Sequence, residues 1–275
     1  MSKIEKALNR ARAGGLQVVP RAEISGPATG TSVVTYRTAH PETISRMANN
    51  EVRMLGPDDL EQRGIIRSQR GGDPAVQVFR ELRTKIVQHS QGQNAIILVA
   101  SVSQGCGGSF VSRNLAAAFA MDVGKTALLI DCNLADPSVH QLLHNATVSG
   151  LADYLENPAL DIEKIIHPLG IARFRLITAG KPHEAPEELL TSGKMRQLMD
   201  AVRRRYLERF VILDGPPMSK VADFRMLSDL ADYVLVVAGY ARSTNAQIAN
   251  CVSTVGDKKL LGIVFNEEPR IPRIR

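Results

Sequence analysis

The sequence predicts an α/β protein: a mostly parallel sheet held between two layers of helices, preceded by a segment of different character. Three features carry this reading. Six short runs rich in Val, Ile and Leu recur from residue 95 onward, and segments of helical apolar period separate most of them. The runs are also apolar throughout, as strands are when helices cover both faces of a sheet. With 275 residues, 44% hydrophobic and 23% charged, the chain has the composition of a folded globular protein.

Residues 1–72 read as an N-terminal region. Ser2 and Glu5 form a capping box ahead of Ile4, Ala7, Leu8 and Ala11, which predicts a short amphipathic helix over 3–12 with Lys3, Lys6, Arg10 and Arg12 on its other face. Such a helix can dock on a partner or a membrane surface, or remain a frayed basic tail. Residues 14–50 are rich in Gly, Pro, Ser and Thr without a sustained period and read as a flexible linker. The stretch MLGPDDLEQRGII is more apolar and is placed against the folded domain.

The second region, 73–275, opens with DPAVQVFRELRTKIVQ, a helix with Val76, Phe79, Leu82, Ile86 and Val87 on one face. The strands follow: AIILVAS (95–101), TALLID (126–131), RFRLIT (173–178), FVILDG (210–215), YVLVVA (233–238) and LLGIVFN (260–266). No run reaches the roughly 18 apolar residues of a membrane span, and the start lacks a secretory apolar core, so a cytoplasmic address is expected. Cys106, Cys132 and Cys251 are odd in number and lack C-x-x-C spacing, which fits reduced thiols. The net charge of +6 suits an anionic partner, but without dense Lys/Arg runs or Trp, nucleic acid is not expected.

In such sheets ligands sit beyond the carboxyl ends of the strands. The first strand runs into VSQGCGGSFVSRNLAAAFA, where Gly105, Gly107, Gly108, Ser109 and Phe110 would form a backbone cradle for phosphate at a helix start. Against G-x-x-x-x-G-K-[ST], Gly107 falls on the second glycine and Ser109 on the Mg²⁺-binding hydroxyl, but Val102 takes the first glycine and Gly108 the lysine. Asp131 and Asp214 end two other strands, and Ser109, Asp131 and Asp214 are the candidate Mg²⁺ ligands. Two residues are weighed as substitutes for the lysine: Arg113, more than one turn into the helix, and Lys125, ahead of the next strand. His140 and His144, spaced i, i+4, could share a metal on a helix face, but no third ligand is evident. Cys106 and Cys132 read as ordinary loop or buried thiols, with oxidation as the alternative. Arg203–Arg205 read as a solvated helix end, with a docking patch as the alternative.

The segments PAVQVFRELRTKI, QGCGGSFVSRNLA, LLIDCNLADPSVH, GLADYLENPAL, LITAGKPHEAPEELL, FVILDGPPM and GIVFN, in this order, resemble the bacterial tyrosine kinases of capsule and exopolysaccharide synthesis. That family belongs to the P-loop NTPases with MinD and ParA. The resemblance implies their fold, an ATP/ADP site with Mg²⁺ and catalytic roles for Asp131 and Asp214. It also implies an oligomer interface through Arg80 and Arg83, a membrane-embedded polysaccharide chain-length regulator as partner, and mixed oligomers with an active kinase paralogue. The N-terminal region resembles stand-alone members, which would sit at the inner face of the plasma membrane through a partner.

The departures touch the chemistry. The lysine is Gly108, the second aspartate of the D-x-D motif is Asn133, the arginine that usually follows is Ala135, and Gln77 replaces the glutamate of the oligomer-forming E-x-x-R-x-x-R helix. The last residues, EEPRIPRIR, contain no tyrosine, whereas family kinases end in a tyrosine cluster; Tyr36, Tyr154, Tyr206, Tyr233 and Tyr240 are dispersed. Removing one donor from a preorganised charge-stabilising site slows chemistry by roughly 10²–10³. The expected function is therefore a catalytically impaired kinase with weak or lost nucleotide binding that regulates polysaccharide polymerisation or export. An active kinase or ATPase with an unorthodox loop and a MinD- or ParA-like membrane positioning protein are the alternatives.

Overall fold

A computed structural model describes residues 55–67, 73–143, 148–205 and 208–267. The helix expected over 3–12, the linker to residue 50 and His144 lie outside the described residues.

Beyond a short helix α1 (Pro57–Gln62), the order is α2 (Pro74–His89), β1 (Ile96–Ser101), α3 (Gly108–Ala120), β2 (Thr126–Asp131), α4 (Leu151–Glu156), β3 (His167–Pro168) and β4 (Phe174–Ile177). Then follow α5 (Pro186–Leu190), α6 (Gly193–Arg205), β5 (Arg209–Asp214), α7 (Val221–Leu230), β6 (Tyr233–Gly239), α8 (Asn245–Val255) and β7 (Leu260–Asn266). The sheet order is β3-β4-β2-β5-β1-β6-β7, and every pair is parallel except β3 with β4. All six expected strands form. The two-residue β3 went unforeseen because a single His-Pro pair carries no period of its own and is held by pairing to Leu176 and Arg175.

The pleat explains the uniformly apolar strands. Successive side chains point to opposite faces, and both faces are covered. Ile97, Val99, Leu129, Phe210 and Ile212 pack with Val76, Phe79 and Ile86 of α2 and Leu115 and Phe119 of α3. Ile96, Leu98, Ile130, Val211 and Leu213 pack with Leu151 of α4, Met195 and Leu198 of α6, Phe224 and Leu227 of α7 and Ile248 of α8. Helix α2 starts where its sequence dictates: Pro74 stands at the first position and the Asp73 side chain accepts from Ala75 N at 2.9 Å.

The apolar stretch before α2 does dock. Leu55, Leu60, Ile65 and Ile66 are buried in the layer formed by α2 and α3. Asn114 of α3, fully buried, fastens it: its Oδ1 accepts from Ile66 N at 2.8 Å and its Nδ2 donates to Gly64 O at 2.9 Å.

Helix α4 seats its first turn on the exit of β4, with Leu151 N donating to Thr178 O at 2.7 Å and Ala152 N to Ala179 O at 2.9 Å. Gly150 makes this possible, since a Cβ there would lie 2.2 Å from Gly180 N and 2.5 Å from Gly180 Cα. Both obstacles are backbone, so neither can rotate away. Gly150→Ala is expected to destabilise the domain by about 2 kcal/mol or more in urea unfolding, and an unchanged midpoint would show that the β4 exit is pliable.

Candidate functional site

Strand β1 leaves the middle of the sheet and becomes α3 after the six residues 102–107. Gly105 and Gly107 take positive φ, 80° and 86°. The φ of Gly107 favours glycine, and a Cβ there, 2.0 Å from Asn266 Nδ2, would displace that side chain. Asn266, the last residue of β7, donates to Cys106 O at 3.1 Å, and Arg242, in the turn after β6, donates to Gly105 O at 2.6 Å. Two loop carbonyls are thus held by side chains from neighbouring strand ends. The N–H groups of Gly108, Ser109 and Phe110 open α3, where a helix has unpaired donors and a positive dipole end.

Asp131 and Asp214 sit in register at the ends of adjacent β2 and β5, both essentially fully buried. Asp131 is held by its own loop: Oδ1 accepts from Asn133 N at 3.1 Å, and Oδ2 from Ser138 N at 3.2 Å and Val139 N at 3.0 Å. Asp214 Oδ1 accepts from the Ser112 hydroxyl at 2.8 Å, while its buried Oδ2 makes no hydrogen bond. Ser138 donates to Ser109 Oγ at 3.1 Å, and the Ser109 hydroxyl lies close enough to Asp214 to lower its pKa by hydrogen bonding. Burial first, and then the charge of Asp214, raises Asp131 to about 8. Burial raises Asp214 to about 6 against the opposing pull of Ser109, Ser112 and Arg113. Two desolvated carboxylates side by side resist full ionisation without a cation.

These groups fit a hard cation: an orphaned carboxylate oxygen at Asp214, the Ser109 hydroxyl beside it and Asp131 behind. Among the described residues no group of three or more His, Cys, Asp or Glu is placed to hold a metal ion. A cation here would therefore complete its shell with water and phosphate oxygens, as Mg²⁺ commonly does.

The remaining candidates are scattered. Phe110 contributes its backbone to the helix start, but its ring packs on Phe79 at 6.0 Å, on the α2 side. Asn133 is a strut, donating to Asp136 O at 2.8 Å. Lys125 precedes β2 at the far end of the sheet and donates to Gly92 O at 3.2 Å. Arg113 lies over the Phe110 ring at 5.6 Å, and burial lowers its pKa while the Asp214 charge raises it. Arg83 of α2 is engaged within the chain, donating to Ala118 O at 3.1 Å and facing Asp122 at 3.9 Å; Arg80 lies one turn earlier on α2. His140 lies in a turn at 139–142 whose proposed partner is outside the described residues. All three cysteines are buried and free. Burial drives Cys132 well above the usual thiol range, whereas at Cys106 hydrogen bonding by Ser103 and Ser243 outweighs burial and lowers it. Sequence reasoning passed over Ser112, Asn114, Arg242 and Asn266. The signal for the first two was polarity on the buried side of an otherwise apolar helix.

Compared with known proteins, the chain is 32% identical over 197 residues to the tyrosine-protein kinase Wzc of Salmonella typhimurium, and 32% over 178 residues to the tyrosine-protein kinase Etk of Escherichia coli. These alignments take in 70% and 64% of this chain. Its fold matches the kinase domain of E. coli Etk with a TM-score of 0.63 at 25% identity, covering 80% of this chain and 98% of that domain. The chain belongs to the bacterial tyrosine-kinase family. It spans 27% of Wzc and 24% of Etk, about a quarter of these relatives' length. MinD of Pyrococcus horikoshii, solved with Mg-ADP, shares the wider P-loop fold at a TM-score of 0.51 and 16% identity. No family model matches the chain. Within this kinase-family domain, no helix among the described residues is long and apolar enough to cross a membrane.

The carboxylate pair makes a pH prediction. Unfolded carboxylates ionise near pH 4, while the folded pair holds its protons to higher pH, so the folded chain binds more protons between about pH 4 and 8 and loses stability as pH rises. Asp214→Asn removes one charge, and its amide oxygen can still accept from Ser112. The variant should melt a few degrees above the parent at pH 8 and differ less at pH 5; identical pH slopes in scanning fluorimetry would refute the assignment.

Proposed function

We propose that this chain is a catalytically impaired member of the tyrosine-kinase family that keeps a weakened Mg²⁺-nucleotide site and acts by binding other proteins of capsule or exopolysaccharide assembly. The observation behind the reading is the mismatch at the end of β1. The loop geometry, the helix start and an orphaned Asp214 oxygen are in place, yet Gly108 stands where the phosphate-binding lysine belongs. Phosphoryl transfer is catalysed mainly by charge stabilisation, so lack of that cation harms turnover more than binding, which the backbone donors and Ser109 still support.

The partner under this reading is a membrane-embedded chain-length regulator, which would bring the protein to the inner face of the plasma membrane, together with an active kinase paralogue in mixed oligomers. Asp131 and Asp214 are the residual catalytic pair, Gly105, Gly107, Gly108, Ser109 and Phe110 the phosphate loop, and Arg80 and Arg83 the oligomer contact. Replacing Arg80 and Arg83 with Ala should abolish self-association; an unchanged mass by light scattering would remove α2 as the contact.

An active kinase remains the second reading because the buried Asp214 oxygen is unspent on structure. Calorimetric titration with ADP and ATP, with and without Mg²⁺, separates the two. The native chain is expected to bind weakly without measurable turnover, and Gly108→Lys to bind at least about tenfold tighter through a charged phosphate contact. The lysine can be housed, since its Cβ would crowd the rotatable Ser101 hydroxyl at 2.8 Å while Ser101 Cβ and N, at 3.5 and 3.6 Å, lie at ordinary contact distance. Turnover by the native chain that Asp214→Ala abolishes would establish the active reading instead.

A further inference from the structure

We propose that Arg242 supplies the phosphate-binding cation that the loop itself lacks, so that a nucleoside diphosphate or triphosphate is gripped by an arginine from the β6–α8 turn. The inference rests on the nucleotide reading above and names the group that would hold the phosphate.

Four observations converge on this residue. First, its guanidinium is already on the loop, with Nη1 donating to Gly105 O at 2.6 Å, and a Cβ at Gly105 would lie 3.2 Å from the same nitrogen. Secondly, the turn that carries it is built to hold it there. Arg242 N and Ser243 N each donate to Gly239 O at 3.1 Å, and the Ser243 hydroxyl accepts from Gly239 N at 3.2 Å. Ser243 Oγ also lies 3.4 Å from Cys106 Sγ, which ties the turn to the phosphate loop.

Thirdly, the backbone is strained on both sides of the residue's ion pair. Ala241, immediately before Arg242, and Glu267, its counter-ion at 3.5 Å, both adopt the left-handed conformation, with φ 55° and 62°. Non-glycine residues persist in that region only where their surroundings hold them, and such strain gathers at functional sites. Fourthly, the arginine is uncommitted enough to bind. It is 55% exposed, and a guanidinium has five N–H donors in a planar fork suited to phosphate oxygens, of which Gly105 and Glu267 occupy part. The buried, unpartnered Asp214 Oδ2 beside the α3 start independently marks the same strand ends as a place for a cation and its anionic ligand.

An arginine in this position explains how a loop without lysine can still discriminate for a charged ligand. A lysine at residue 108 would rise from the helix start within the loop, whereas Arg242 comes from the end of the adjacent strand β6, at the loop's rim. Glu267 competes with phosphate for it, so the site is weak at rest and strengthens when that carboxylate is neutralised.

The test uses the full chain and Mg-ADP in calorimetric titration, with circular dichroism melts confirming that each variant folds. Arg242→Ala should weaken binding at least about tenfold, Arg242→Lys by less, and Glu267→Gln should strengthen it several-fold. In a Gly108→Lys background the Arg242→Ala effect should shrink below about threefold, because the two cations serve the same phosphate. If Arg242→Ala binds like the parent while Asp214→Ala still weakens binding, the nucleotide reading stands and the arginine proposal falls. If the native chain shows no saturable Mg-ADP binding, the nucleotide reading fails and this proposal with it.

Discussion

The passage from β1 into α3 constrains everything around it. A fully buried central strand must become a buried helix within six residues while leaving its carbonyls paired and its amides turned outward. Gly107, at positive φ and without a side chain, leaves Asn266 its place, and neighbouring strand ends lend Asn266 and Arg242 to the loop carbonyls. The ends of β6 and β7 are thereby fixed to β1, and the Asp131 and Asp214 carboxylates are fixed to the helix through Ser109, Ser112 and Ser138.

The loop's missing cation has electrostatic consequences beyond one contact. Two carboxylates lie on adjacent strands with no lysine above them, and burial pushes both upward. The structure meets this in different ways on the two strands. Asp131 spends both oxygens on the backbone of residues 133–139 and becomes a loop anchor, while Asp214 spends one on Ser112 and leaves the other unpaired. Under the proposed reading, a cation at Asp214 would offset the cost of burying this carboxylate pair.

The segment ahead of α2 shows a second use of a buried polar group. Leu55, Leu60, Ile65 and Ile66 supply the apolar contact, but direction comes from Asn114, which satisfies both the Ile66 amide and the Gly64 carbonyl from inside α3. The helix that starts at the loop after β1 is therefore also the post to which the preceding segment is tied. Arg83 of α2 is bound to the other end of the same helix at Ala118.

Much of this was legible in the sequence. Six apolar β-branched runs, the glycines after β1, and aspartates at the ends of β2 and β5 are local properties of neighbouring residues, because strand period, turn conformation and a parallel sheet's burial are written in short windows. The family resemblance rests on the same windows. What the sequence could not show is which distant side chains meet. Asn266 lies far along the chain from Cys106, as does Arg242 from Gly105 and Ser112 from Asp214, and no spacing rule joins them. The tertiary structure alone decided that Asp131 anchors its loop while Asp214 keeps an unpaired oxygen, and that Arg83 binds its own chain. Those outcomes depend on strand order and on the direction of hydrogen bonds in a buried space, and both are set by the packing of the whole sheet.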